Sequence, residues 1–192
     1  RRLAALYSRL QVPRLKDLER DLCRTVDGVS VVSSEDATAL AALAPGVRPV
    51  VVANGIELRA YDMPAPIATE PGRVVFTGKM DYRPNVDAMT WFVGEVWPTI
   101  RAQAPEATVW SVGQAPTPAV RALGGRDGVH VTGAVDDTRP FIAGARVYVA
   151  PLRMGGGTRF KLLEAMALRR PVVSTHIGAE GFPLQNGRDA LL

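Results

Sequence analysis

The feature that most constrains the fold lies in the second half of the chain, where short apolar runs alternate with segments of helical pattern. From Gly72 onward the apolar runs are RVVFTG, ATVWSVG, VHVTG, ARVYVAP and PVVST. Helical patterns separate them near 85–102, 116–124, 136–143 and 157–168. Apolar strands separated by helices are typical of a parallel sheet that is buried on both faces. We therefore predict an α/β fold, a Rossmann-like doubly wound parallel sheet with helices on both faces.

The first part of the chain has a different pattern. Leucines at near-helical spacing predict a helix at the start, which Pro13 should kink or split. GVSVVS indicates a short buried strand, RPVVVANG indicates another strand, and Ser33 or Ser34 should cap the helix between them. The segment 56–71 is rich in proline and alanine and has no periodicity, which is typical of a linker or domain crossover.

Composition excludes several classes of function. The apolar fraction of 47% and the charged fraction of 22% are ordinary for a globular protein, and the net charge of +4 is too weak to indicate nucleic-acid binding. Cys23 is the single cysteine, which excludes an internal disulfide framework and fits a reducing compartment. His130 and His176 have no spacing that indicates a metal site. Without a membrane-length apolar run or a visible signal peptide, we expect a cytoplasmic location.

The least ordinary residues follow the predicted strands. In an open parallel sheet, ligands bind at the carboxyl ends of the strands, so the loops at these ends should lie together. One of them, PLRMGGGTR, leads into the predicted helix 157–168. A helix N-terminus presents unpaired N–H groups with a partial positive charge, and glycines let the backbone approach an anion closely. Gly155, Gly156 and Gly157, followed by Thr158, are therefore predicted to cradle a diphosphate.

Charged residues continue along this helix. Arg159 and Lys161 should lie in its first turn, where they could donate charge-assisted hydrogen bonds to phosphate oxygens. Lys161 and Glu164 should be about 60° apart on the helix, and Glu164 could accept hydrogen bonds from ribose hydroxyls. The face expected to pack into the core comprises Phe160, Leu163 and Ala167.

Two simpler interpretations of this stretch stay open. A glycine-rich loop before a helix can be only a tight turn, and charged residues on a helix are usually solvated. The loop is also not a P-loop, since no GKS or GKT follows it, and GxGxxG is absent from the first strand–helix turn.

Taken in order, several stretches resemble the nucleotide-sugar-binding half of family 4 glycosyltransferases, which have the GT-B fold. They are VVFTGKMDYRPNVDAMTWF, SVGQAP, VHVTGAVDD, ARVYVAPLRMGGGTRFKLLEAMALRRPVVST and GAEGF. The resemblance covers nearly the whole chain, and GTRFKLLEAMA with PVVST is its most specific part. It implies that 1–55 is the end of an N-terminal, acceptor-side Rossmann-like domain and 56–71 the crossover. Residues 72–192 would form the donor-binding domain, truncated at its C-terminus.

The resemblance implies a retaining transfer of a sugar from a nucleoside-diphosphate donor, without a bound metal or other cofactor. The expected setting is polysaccharide or glycoconjugate biosynthesis, with a sugar or a lipid-linked molecule as acceptor. The chain begins without methionine and ends inside a strand-like segment, so we expect it to be a fragment of a longer protein. The acceptor-side residues would then lie in the missing N-terminal part. We therefore expect a fragment that binds the donor and transfers little sugar alone.

A basic start could also touch an anionic membrane surface, which would make the protein peripheral to the inner face of the cell membrane. An ordinary solvated helix face is the alternative. The basic residues are Arg1, Arg2, Arg9, Arg14, Lys16 and Arg20.

The resemblance also implies roles for individual residues. Gly78 and Lys79 would lie in the first loop of the donor domain, where a basic residue meets the diphosphate, and Gly113 would lie in the next loop. The loop from Gly133 to Val135 would border the base. Glu164 matches the second glutamate of the paired-glutamate motif, which binds the ribose. Lys79 and Lys161 would act in catalysis by stabilising the charge of the departing nucleoside diphosphate.

Two positions depart from the family pattern. Gly156 stands where the first glutamate of the pair is expected, so the usual contact to the donor sugar is absent or is made by other groups such as Arg159 and Lys161. The second basic residue of the first loop is displaced, and Arg83 takes its place only by approximate alignment.

Two other functions remain open from the sequence. A nucleotide-sugar 2-epimerase of similar fold would use the same donor without an acceptor and would release free sugar epimer. A non-catalytic nucleotide-binding module would bind donor without turnover, and the glycine at position 156 is the best support for it. The donor base, the sugar, the acceptor and the oligomeric state are not specified by these residues.

Overall fold

A computed structural model describes residues 2–63 and 65–192 of the chain. The chain divides into two compact units, Arg1–Asn54 and Gly55–Leu192. Arg1 lies outside the described residues, as do the side chains of residues 2–6 and 8, so the basic face predicted from Arg1 and Arg2 is described only from Arg9 onward. No helix among the described residues is long and apolar enough to cross a membrane.

The first unit contains two helices and two short parallel strands. Its elements are α1 (Arg2–Thr25), β1 (Ser30–Val31), α2 (Ser34–Leu43) and β2 (Val50–Val51). The predicted cap of α2 is confirmed, because the Ser33 side chain accepts a hydrogen bond from the Asp36 N–H at 3.1 Å. The prediction of a buried first strand is wrong. Ser30 is exposed and Val31 only half-buried, since two-residue strands offer little surface for a neighbour to cover.

Helix α1 continues through Pro13, so proline does not split it, and the alternative of a kink stays a prediction. Proline removes one backbone donor, but the φ angle that it imposes, about −65°, is itself a helical value. The helix therefore continues with one hydrogen bond fewer.

The second unit is built on a five-stranded parallel sheet, which confirms the predicted fold class. The strands run in the spatial order β5-β4-β3-β6-β7. Each falls within an apolar run that the sequence marked: β3 (Arg73–Thr77), β4 (Thr108–Val112), β5 (Val129–Gly133), β6 (Val147–Ala150) and β7 (Val172–Ser174).

Helices connect these strands, and several are shorter than the sequence predicted. The first connection is α3 (Arg83–Trp91), a π-helical turn (Phe92–Val96) and α4 (Trp97–Gln103), and it spans the predicted helix 85–102. The others are α5 (Pro118–Arg121) with a 3₁₀ turn (Ala122–Gly125), α6 (Arg139–Ala143) and α7 (Phe160–Ala167).

Successive residues of the central strand β3 point to opposite faces of the sheet, and both faces are covered. Phe76 packs in one core cluster with Met89 and Trp97 from the α3–α4 connection. Val75 packs in the other with Ile142 of α6 and Leu162 of α7. The helices therefore lie on both faces, as a doubly wound sheet requires.

The segment 56–71 belongs to the second unit and is attached to its helices. It contains a 3₁₀ turn, Leu58–Tyr61, and the Arg139 guanidinium donates a hydrogen bond to the carbonyl of Ala60. Further along, the Glu70 N–H donates to the carbonyl of Gly144 at 2.9 Å. These bonds place the segment beside α6.

Replacing Tyr148 by phenylalanine should destabilise the second unit by about 1–2 kcal/mol, the usual cost of removing a buried hydrogen bond. The Tyr148 side chain is fully buried, and its hydroxyl lies 2.8 Å from the Thr77 hydroxyl and accepts from the Thr77 N–H at 3.3 Å. Urea denaturation of Tyr148→Phe measures the change. Tyr82→Phe is the control because Tyr82 is 54% exposed, and equal stability of both variants would contradict the assignment.

Candidate functional site

A cleft of about 500 Å³ opens at the carboxyl ends of the central strands. Residues after β3, β4 and β5 line it together with side chains of α7 and of the approach to α6. In this sheet the chain order reverses at β3, whose neighbours are β4 on one side and β6 on the other. Open α/β sheets bind ligands beside such a switch point. The lining consists of Thr77, Gly78, Lys79, Gly113, Gln114, Ala134, Val135, Thr138, Lys161 and Glu164.

The cleft brings together many of the residues singled out in the sequence, namely Gly78, Lys79, Gly113, Val135, Lys161 and Glu164. Gly133 lies beside it and lines a neighbouring cavity of about 760 Å³ with Trp110 and His130. Arg83 is the exposed first residue of α3 and is outside the described lining of the cleft. Its binding role and that of Gly133 stay predictions.

The glycine loop lies between β6 and α7. The helix begins at Phe160, not at Gly157, so Gly155, Gly156, Gly157, Thr158 and Arg159 precede it and are outside the cleft lining. Gly155 and Gly157 have φ angles of 103° and 83°, a conformation that favours glycine. The predicted diphosphate cradle stays a prediction.

Buried hydrogen-bond donors collect in this loop. The Arg159 guanidinium donates one hydrogen bond, to the carbonyl of Gly156. Among the described residues, its other two nitrogens and the Thr158 hydroxyl are buried without a partner. Buried polar groups usually have a partner, so these donors are suited to an incoming acceptor.

The buried face of α7 differs from the predicted one. Phe160 is 52% exposed, whereas Leu162 and Ala165 are fully buried. Leu163 and Ala167, the other residues of the predicted face, are half-buried. The reason is the point at which the helix leaves the loop, because this sets which side of the helix faces the sheet. The same rotation brings Lys161 toward the strands.

Lys161 is anchored by groups from β3 and α3. Its Nζ donates a hydrogen bond to Oδ1 of Asn85 at 2.9 Å and lies 4.1 Å from the centre of the Phe76 ring. Burial and the nearby positive charge of Arg159 lower the pKa of Lys161 to about 7, and the Glu164 carboxylate acts in the opposite direction. An ammonium group with few partners in a small cleft is suited to bind an anion.

The Glu164 carboxylate accepts a hydrogen bond from a tyrosine hydroxyl. Its Oε1 accepts a hydrogen bond from the Tyr61 hydroxyl at 3.2 Å. Burial and the charge of Glu164 raise the pKa of Tyr61, so the phenol stays protonated and donates. The carboxylate thus accepts a hydroxyl hydrogen bond from Tyr61, which is outside the described lining of the cleft.

Lys79 differs from Lys161 in its surroundings. Its side chain is 58% exposed and forms an ion pair with Asp81 at 3.2 Å. An exposed, paired lysine has a smaller electrostatic effect than a partly buried one whose partner is a neutral amide.

The loops after β3 and β4 contact each other through backbone hydrogen bonds. The Gly78 N–H donates to the carbonyl of Val112, and the Met80 N–H donates to the carbonyl of Gln114. A Cβ atom on Gly113 would collide with the carbonyl oxygen of Gly78 and lie 2.9 Å from its carbon. Gly113 also has a φ of 146°. Its role in the structure is therefore to let the two strand ends meet at the floor of the cleft.

The sequence reasoning missed two residues of the site. Asn85 stands inside the quoted stretch VVFTGKMDYRPNVDAMTWF, and its place in the first turn of a helix that follows a strand end was an available signal. Tyr61 lies in the segment interpreted as a linker, and no sequence pattern connects it with Glu164. Within residues 2–63 and 65–192, no three His, Cys, Asp or Glu side chains are grouped closely enough to hold a metal ion.

Residues 71–192 match the family described as glycosyl transferases, group 1. Phosphatidyl-myo-inositol mannosyltransferase of Propionibacterium freudenreichii subsp. shermanii is 31% identical over 163 residues, which is 80% of this chain and 39% of that protein. The chain thus spans about two fifths of the length of this relative.

Two solved structures are similar in fold. TarM matches 91% of this chain and 34% of its own, with a TM-score of 0.73 and 13% identity. HepE of Anabaena, in complex with UDP and glucose, matches 90% of this chain and 50% of its own, with a TM-score of 0.66 and 17% identity. At these identities the likeness shows the fold alone.

Gly113→Ala should lower the free energy of unfolding of the second unit by about 2–4 kcal/mol, since neither the backbone of Gly78 nor the positive φ can be accommodated without strain. Gly124→Ala is the matched control, because its Cβ would meet Val131 only at an ordinary 3.6 Å. Chemical denaturation compares the two variants. A control as destabilised as Gly113→Ala would show that glycine loss in general, and not the contact with Gly78, is responsible.

Proposed function

Because this chain belongs to the group 1 glycosyltransferases, we propose that it carries the donor-binding part of a retaining hexosyltransferase. The donor is a nucleoside-diphosphate sugar, bound without a metal ion in the cleft at the carboxyl ends of β3, β4 and β5. The acceptor is a sugar or a lipid-linked molecule, and the product belongs to polysaccharide or glycoconjugate biosynthesis.

The observation that carries this proposal is the position of Lys161 and Glu164 in one cleft, one turn apart on α7. A nucleoside diphosphate presents an anion and a pair of ribose hydroxyls a short distance apart. A cation and a carboxylate at neighbouring positions of one helix match these two groups. The pair also distinguishes this cleft from a simple phosphate site, which needs no carboxylate.

Lys161 is the group for the diphosphate. As the bond between the sugar and the diphosphate breaks, negative charge develops on the departing oxygen. An ammonium group that is already in position stabilises this charge without reorganisation of solvent, and one well-placed donor can lower the barrier by about 3 kcal/mol. Lys79 lies at the same end of β3 and adds to the positive potential.

Glu164 is the group for the ribose. Its Oε1 accepts a hydrogen bond from the Tyr61 hydroxyl, which supports hydroxyl groups as partners of this carboxylate. A carboxylate can accept hydrogen bonds from two adjacent hydroxyls, as in dinucleotide-binding folds. Ala134 and Val135 of the loop from Gly133 to Val135 line the cleft, and this supports the loop as the neighbour of the base.

The named relatives support the chemical class of both substrates. The solved complex of HepE contains UDP and glucose, which supports a nucleoside-diphosphate sugar as donor. The name of the bacterial relative specifies mannosyl transfer to phosphatidyl-myo-inositol, which supports a lipid-linked acceptor. An acceptor of this kind favours a protein that works at the cytoplasmic face of a membrane.

Calorimetric titration of the protein with UDP, GDP and ADP should give saturable binding of one nucleotide. Lys161→Met and Glu164→Gln should each weaken it by about ten- to a hundredfold, the usual effect of losing a hydrogen bond to a charged group. Glu106→Gln, an exposed carboxylate in the turn before β4, is the control and should bind like the wild type. Binding that is indifferent to both site variants would place the nucleotide elsewhere.

Sugar transfer by the intact protein should persist in excess chelator, because the proposed site neutralises the diphosphate with lysine side chains and not with a metal ion. NMR of the product gives the anomeric configuration, which should be that of the donor. Loss of activity in chelator with recovery on adding a divalent cation would refute the metal-independent mechanism. An inverted product would refute retention.

A further inference from the structure

We propose that Asn85 is a positioning residue of the donor site, which holds the Lys161 ammonium beside the backbone of Gly78 where the diphosphate binds. The inference rests on the proposed function and adds a residue for which the sequence reasoning had no role. It is carried by the burial of Asn85, the direction of its two hydrogen bonds and the absence of charge on its side chain.

Asn85 is a buried polar residue in the first turn of α3, with only 5% of its surface exposed. A buried amide must find partners for its oxygen and its nitrogen, because unpaired polar groups are costly inside a protein. Its Nδ2 donates to the main-chain carbonyl of Lys79 at 2.9 Å, and its Oδ1 accepts from Lys161 Nζ at 2.9 Å. The side chain therefore connects the loop after β3 with helix α7.

The two partners determine which way the amide points. A carbonyl oxygen only accepts hydrogen bonds, and an ammonium group only donates them. With the amide reversed, oxygen would face oxygen and nitrogen would face nitrogen, and both bonds would be lost. Asn85 Oδ1 is thus directed at Lys161 by the backbone of Lys79.

The resulting arrangement leaves little freedom to Lys161. A Cβ atom on Gly78 would lie 2.7 Å from Asn85 Nδ2 and 2.9 Å from Lys161 Nζ, so both groups pack directly on the Gly78 backbone. The Phe76 ring contacts the ammonium at 4.1 Å from its centre. The ammonium is therefore fixed at the end of β3, where it lines the cleft.

A neutral amide suits this role better than a carboxylate. It orients the ammonium without neutralising it, whereas Lys79 is paired with the carboxylate of Asp81. The charged groups around Lys161 are Glu164 on its own helix, Arg159 in the loop just before that helix and Lys79 on the loop after β3, and Glu164 is also engaged by Tyr61. From α3 and β3 the contacts are the uncharged side chains of Asn85 and Phe76. Neither of these contacts supplies a counter-ion to Lys161, so a bound anion would favour its protonated form.

The first test is a double-mutant cycle on nucleotide affinity in the intact protein, with Asn85→Ala, Lys161→Met and the double variant. Using whichever of UDP, GDP and ADP the wild type binds, Asn85→Ala should weaken binding about fivefold or more. The double variant should bind within about twofold of Lys161→Met, because Asn85 acts through Lys161. Fully additive losses would overturn the inference. Asn186→Ala, which removes an amide that accepts from the Leu192 N–H, is the control and should bind normally.

The second test does not depend on a nucleotide. NMR titration of the Lys161 side chain should give a midpoint about pH 7 in the wild type, and Asn85→Asp, which is nearly isosteric, should move it upward by about one pH unit or more. The direction follows because a carboxylate at hydrogen-bond distance stabilises the protonated lysine. An unchanged midpoint would show that residue 85 does not contact the ammonium.

The two tests separate the inference from the function on which it rests. A wild type that binds none of the three nucleotides overturns the proposed function, and the donor-site role of Asn85 with it, even when the NMR shift is observed. A wild type that binds one nucleotide, combined with an additive cycle or an unchanged midpoint, overturns the role of Asn85 alone.

Discussion

The position of the site depends on the parallel pairing of β3 with two neighbours, β4 on one side and β6 on the other. A strand paired on both edges and covered on both faces has only its ends free. The loops after β3 and β4 therefore leave from the same edge of the sheet. The helix after β6 starts on the other side of β3 and faces those loops across the switch point. Every residue of the cleft takes its place from this arrangement.

Within that frame, the chemistry of the cleft follows from the partial burial of one lysine. Taking an ammonium group out of water disfavours its charged form, which is why the pKa of Lys161 falls to about 7. A neutral amide and an aromatic ring hold the group, and neither removes its charge. These contacts supply no counter-charge to Lys161, and a nearby anion would favour its protonated form. The nearby Glu164 limits the fall in pKa and accepts a hydrogen bond from the Tyr61 hydroxyl.

The sequence predictions were more accurate for some elements than for others, and each difference has a physical reason. The strands were found because each is a short apolar run, and burial on both faces requires such runs. The fold class and the family resemblance, both confirmed, follow from these runs and from the stretch GTRFKLLEAMA. The prediction of which face of α7 packs into the core was wrong, since Phe160 is exposed and Leu162 is buried. That face depends on where the helix leaves the glycine loop, and helix ends are the least certain part of a sequence prediction. Asn85 and Tyr61 were missed because their partners, Lys161 and Glu164, are distant in sequence.

The sequence by itself determined the order of strands and helices, the doubly wound class and the set of loops that meet at one edge, because these depend on local apolar patterns and on chain connectivity. It also placed Lys161 and Glu164 one turn apart on a single helix. Only the tertiary structure decided which groups surround them. The contact of Lys161 with Asn85 and that of Glu164 with Tyr61 join residues far apart in the chain, and hydrogen bonds of this kind exist only when packing has oriented both partners.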